Sequence, residues 1–204
     1  MFPLLLAAAA VLPASPIEQQ KWFTSQEHPK TALAVAERGF VAYTIDVAPD
    51  GSALRCEPQD KGDLDRKVCE LVMKRARFRP AADDQGRPVF GVHEAVASFL
   101  LPGKGRARPD RSKLAVMVDR LPDGVAGPAF ARVAFLVDAA GVISQCTNAA
   151  GEQRRFQQSV PALAPAACDA VVKDYRPAPV RDAAGIPVAS VQSAMVRFET
   201  GKAP

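Results

Sequence analysis

The chain has 204 residues, 48% hydrophobic and 24% charged, a balance that belongs to folded protein and excludes a disordered tail. The length suits one large or two small domains. A net charge of +4 is too small an excess to argue nucleic-acid binding, so no nucleic acid is expected among the partners.

The chain opens "MFPLLLAAAAVLPASP". The apolar run from Phe2 to Leu12 has the length of a secretory leader's core and is too short to span a bilayer. Small residues follow it, so residues 1–14 are expected to be a signal peptide, cut after Ala10 or Ala14. Its amino-terminal flank has no Lys or Arg, and the competing reading is a buried N-terminal helix. The expected location is the periplasm. Between Ile17 and Arg38, "TALAVAERG" predicts a short helix.

Val41, Tyr43, Ile45 and Val47 alternate with Ala42, Thr44 and Asp46, a strand with one apolar face. Pro49, Asp50 and Gly51 make a turn, and Ala53 to Glu57 completes a hairpin. Leu64, Val68, Leu71 and Val72 form the stripe of an amphipathic helix, with Asp63 as its N-cap and its end near Arg77, before Pro80. "DDQGRPV" predicts a turn and Val89 to Leu100 a third strand.

The same order then recurs. After a basic Pro/Gly linker (residues 102–113) and an extra strand at "KLAVMVDRLP", Ala131, Val133, Phe135 and Val137 repeat the alternation. "DAAG" makes the turn, and a helix opening at Pro165 carries Cys168, Val171 and Val172. "YRPA" answers "FRPA", "GIPV" answers "GRPV", and Phe198 answers Phe99. The chain therefore reads as α+β, with two tandem small domains at 17–101 and 114–200. Each is expected to hold a three-stranded antiparallel sheet packed with one or two helices.

Cys56, Cys69, Cys146 and Cys168 allow three pairings. The repeat favours Cys56 with Cys69 and Cys146 with Cys168, one bridge per module, as suits an oxidising compartment. A zinc site fails on spacing, because no C-x-x-C occurs and His28 and His93 lack ligand spacing.

The order "HPKTALAVAERGFVAYTIDVAPDGSALRC", "LDRKVCELVMKRARFRPA", "GRPV" resembles the carboxy-terminal domain of TonB family proteins, in its cysteine-bearing alphaproteobacterial form. His28 to Leu101 carries the resemblance well and Ala131 to Phe198 more loosely. The resemblance implies a small α/β domain that binds a receptor's short segment by β-strand addition. It further implies that the third strands, Val89 to Leu100 and Val188 to Phe198, are edges, with Val89, Val92, Val96, Val188 and Val191 lining the partner site. Energy transducers of this family also carry a membrane anchor and a proline-rich spacer. Here no anchor is visible and the 18 prolines are scattered. The family's Tyr-Pro pair appears only as His28-Pro29.

No G-x-S-x-G, Walker loop or H-E-x-x-H occurs, so neither catalysis nor a cofactor or metal is expected. His93 in a strand and Asp83 and Asp84 in a turn read as structural. The cluster Lys74, Arg75, Arg77 and Arg79, with Lys104, Arg106, Arg108 and Arg111, is a solvated surface or a contact for anionic cell wall or lipid headgroups. Two functions follow. One is a periplasmic module that recruits a peptide segment of an envelope protein, such as a TonB-dependent receptor, in a transport role. The other is a structural envelope protein with no peptide ligand.

Overall fold

A computed structural model describes residues 10–24, 40–99, 110–149 and 158–201. In the first half, β2 (Phe40–Val47) turns into β3 (Ala53–Pro58) through Asp50 and Gly51. The Asp50 carboxylate accepts the Ser52 backbone N–H at 2.9 Å. Gly51 has φ 83°, and a Cβ there would lie 2.2 Å from the Phe78 carbonyl oxygen, so only glycine fits. The α1 helix (Asp63–Arg75) buries Val68, Leu71 and Val72 of its expected stripe together with Cys69, while Leu64 is half-buried. Its N-cap is Gly62 rather than Asp63, because Asp65 reaches back to accept the Gly62 N–H at 3.0 Å. Short strands β4 (Phe78–Arg79) and β5 (Ala81–Ala82) then lead through a turn into β6 (Pro88–Ser98).

The second half runs in the same order. The extra strand is β7 (Leu114–Val118), and β8 (Ala129–Val137) and β9 (Ile143–Asn148) form the hairpin. The α2 helix (Ala164–Asp174) starts with Pro165 in its first turn, where a missing N–H costs nothing. Short strands β10 (Val180–Arg181) and β11 (Pro187–Val188) precede β12 (Ser190–Thr200). No helix among the described residues is long and apolar enough to cross a membrane.

The class is α+β, but the sheet is shared. Its order is β3-β2-β6-β12-β8-β9, with β5 joined to β6 and β7 to β12. The two three-stranded sheets expected from the repeat are therefore joined at the centre, where β6 and β12 run parallel. Each half keeps its own helix, on opposite faces. Along β8, Val133, Phe135 and Val137 belong to the core under α2, while the intervening Ala134 and Leu136 pack into the core under α1. Alternate residues of a strand point to opposite faces, so the two cores lie on either side of one sheet.

Disulfides tie each outer strand to its helix. Cys56 joins Cys69 and Cys146 joins Cys168, with Cα atoms 5.4 and 5.6 Å apart. Two bridges suit an oxidising compartment.

The N-terminal stretch departs most from expectation. Residues 11–14, assigned above to the leader, pack into the fold: Val11 is 2% exposed and Ala14 4%. Leu12 bridges Ala82, and β1 (Ser15–Pro16) pairs antiparallel with β4. A short apolar run with small residues fits a leader and a buried segment equally well, so composition alone does not separate the two expected cuts. The expected helix over "TALAVAERG" lies outside the described residues, as do linker residues 102–109.

Candidate partner-binding site

The structure moves the expected edge strands inward. β6 pairs along its length with β2 (Phe40↔Ser98 through Val47↔Gly91), and β12 pairs likewise with β8. The outer edges of the sheet are β3 and β9. The repeat does encode a hairpin plus a third strand, but which strands meet across the halves is a tertiary choice that no local pattern carries.

The five expected partner residues separate accordingly. Val188 lies in β11, not in the long strand, and pairs with Val180 in a separate two-stranded ribbon. Val191 is 0% exposed within the first core, so its side chain can read no partner. Val89 pairs with Ala81 of β5. Pairing or burial occupies each of these three. Val92 and Val96 remain half-buried on the face of β6 opposite the first core.

The junction of the halves is short. β6 and β12 share two residue pairs, Phe90↔Ser190 and Gly91↔Val191. At this junction Gly91 makes room for β5 and the N-terminal stretch, since a Cβ there would meet the Ala81 Cβ at 2.8 Å and the Ala14 Cβ at 3.0 Å. Beyond it the strands part. β12 takes β7 as its neighbour from Val196 to Thr200, and among the described residues no strand ladders with that side of β6 from Val92 to Ser98.

One cleft adjoins this parting and a second lies over the first hairpin. The first, of about 460 Å³, is lined by Val92, His93, Glu94, Arg132 and Ser193 together with the N-terminal stretch. The other, of about 530 Å³, lies over Ala42 and Thr44 of β2 and is closed by Asp110–Lys113. Glu94 pins that closing segment, with Arg111 at 3.1 Å and Lys113 at 2.8 Å. No local pattern points to this contact, because its partners belong to a stretch that reads as linker. His93 is 5% exposed and stacks near Phe78, ring centroids 5.3 Å apart, which makes it a core side chain.

The titrating carboxylates are structural as well. Asp46 is 6% exposed, and burial raises its pKa against the opposing pull of Arg55 at 2.7 Å. Asp83 is held below the ordinary carboxylate range by hydrogen bonding from the Arg87 side chain, at 2.8 Å, and from the Gln85 and Arg87 amides. Among the described residues no three His, Cys, Asp or Glu side chains are grouped to hold a metal. Of the basic cluster, Arg75 donates to the Trp22 carbonyl and Arg111 to Glu94. No family model, curated protein or solved structure matches the chain.

Proposed function

We propose that this is an extracytoplasmic protein-binding module, a tandem of two domains like those that end TonB family proteins, recruiting a peptide segment of an envelope protein by β-strand addition. The partner strand would lie along β6 from Val92 to Ser98, on the side that β12 leaves after Gly91. One observation carries this: the two central strands share only two residue pairs, and among the described residues no strand ladders with that side of β6 beyond Gly91. Strand addition draws affinity from the backbone and specificity from alternating side chains, here those of Val92 and Val96.

The competing reading is a structural envelope protein whose halves hold each other, and the pairing of β6 with β12 favours it. Proline substitution separates the two. Adjacent residues of β6 direct their amides to opposite sides, so of Val96→Pro and Ala97→Pro one removes a bond to β2 and the other leaves the β2 ladder whole. For binding at β6, the second variant melts close to the unmodified protein yet retains less of the partner in a pulldown from periplasmic extract. Unchanged retention in both variants, or no retained partner at all, leaves the structural role.

A further inference from the structure

A strand added to β6 has two faces, and the reading above uses one of them. Val92 and Val96 meet side chains on the face away from the first core. His93 and Ala95 alternate with them and turn toward that core. A partner side chain set opposite His93 therefore points to the cleft of about 460 Å³ that adjoins the parting of β6 and β12. We infer that this side chain is acidic: the partner segment carries an aspartate or glutamate whose carboxylate the cleft receives at Arg79 and Arg132. The inference rests on strand addition at β6 and names the chemistry of the partner.

The lining sets the sign of the charge. Arg79 and Arg132 bring two guanidinium groups, and among the described residues Glu94 is the one carboxylate there. Glu94 is already matched by Arg111 at 3.1 Å and Lys113 at 2.8 Å, so it does not offset the two arginines. Arg79 is exposed and pairs with no carboxylate among the described residues. A basic side chain on the partner would meet this excess with like charge, which selects against it. Backbone pairing places the two arginines. β4 holds Arg79 opposite Ser15, and the Arg132 N–H donates to the Ser159 hydroxyl at 2.9 Å. They come from opposite halves of the chain, so only the joined sheet brings both to one cleft. Pro13, Pro16 and Pro80 supply apolar wall around them, where less water weakens an ion pair less. A guanidinium presents a planar fork of donors that a carboxylate accepts in pairs.

Random short peptides displayed on phage and selected on the oxidised protein test this. Arg79→Glu and Lys74→Glu make the same change in net charge, and Lys74 lies exposed on α1 outside the lining. The expected result is enrichment of Asp or Glu at one peptide position, lost in Arg79→Glu and kept in Lys74→Glu. A selected peptide should bind about tenfold more weakly when that acid becomes its amide. Enriched peptides with no acidic position, or equal loss in the two variants, would overturn the inference and leave strand addition standing. If no peptide is enriched at all, strand addition falls and this inference with it. Should Arg79→Glu fail to fold, the acid-to-amide change in the peptide still reports, and unchanged affinity there would refute the acidic contact.

Discussion

Three turns in this protein are built from the same four-residue device. Asp83, Asp138 and Asp182 each accept backbone N–H groups from two and four residues ahead through one carboxylate oxygen, at 2.8–2.9 Å. A glycine three residues on takes the left-handed φ that closes the turn: 75° at Gly86, 86° at Gly141 and 81° at Gly185. The first two were legible as turns, at "DDQGRPV" and "DAAG", and the third shares their Asp-x-x-Gly spacing. Asp182→Ala should cost about 1 kcal/mol, and Gly141→Ala a similar amount, measured by urea midpoint. Asp46 behaves oppositely to Asp83 with pH. Its folded pKa is raised, so the folded state binds more protons than the unfolded chain, and stability falls as pH rises from the ordinary carboxylate value through the folded one. Asp83 is lowered, and its contribution is present above the ordinary value and lost as pH falls through the folded one. Asp46→Asn should therefore gain on the unmodified protein as pH rises above the ordinary carboxylate value, whereas the deficit of Asp83→Asn should shrink as pH falls below that value. Denaturant titrations on either side of that value check both signs.

Each helix depends on its bridge and its buried stripe. The loops closed by Cys56–Cys69 and Cys146–Cys168 span 13 and 22 residues, worth about 3 kcal/mol apiece in the chain-entropy account. Replacing both cysteines of one pair by alanine should lower stability by about that much, read by guanidinium unfolding without reductant. Phe135, fully buried 6.0 Å from the Tyr175 ring, anchors the second core, and Phe135→Ala should cost about 3–5 kcal/mol. β2, β8 and both helices were readable because their apolar residues follow periods of 2 and 3.6 that local geometry imposes. The arm at residues 11–17 was not, since Pro13 and Pro16 break its alternation and its partners lie some seventy residues away.

At the scale of the molecule, the repeat predicts two independent domains and the structure joins them in one sheet. Ala134 and Val191 come from the second half, yet both are buried in the first core. That sharing couples the halves, so calorimetry of the oxidised protein should show one transition, with equal calorimetric and van't Hoff enthalpies. Sequence periodicity says which face of a strand is buried but not which strand lies beside it, and so the central place of β6 and β12 was hidden. The proposed site follows from the same arrangement: β12 leaves β6 after Gly91, and Val92 and Val96 keep half-buried side chains. A photo-reactive amino acid placed singly at Val96, at Val92 and at the buried Val191 tests this in intact cells. Binding along β6 predicts a crosslink to one envelope protein from Val96 and Val92 and none from Val191. Silence at both β6 positions, with the protein folded and exported, would contradict it.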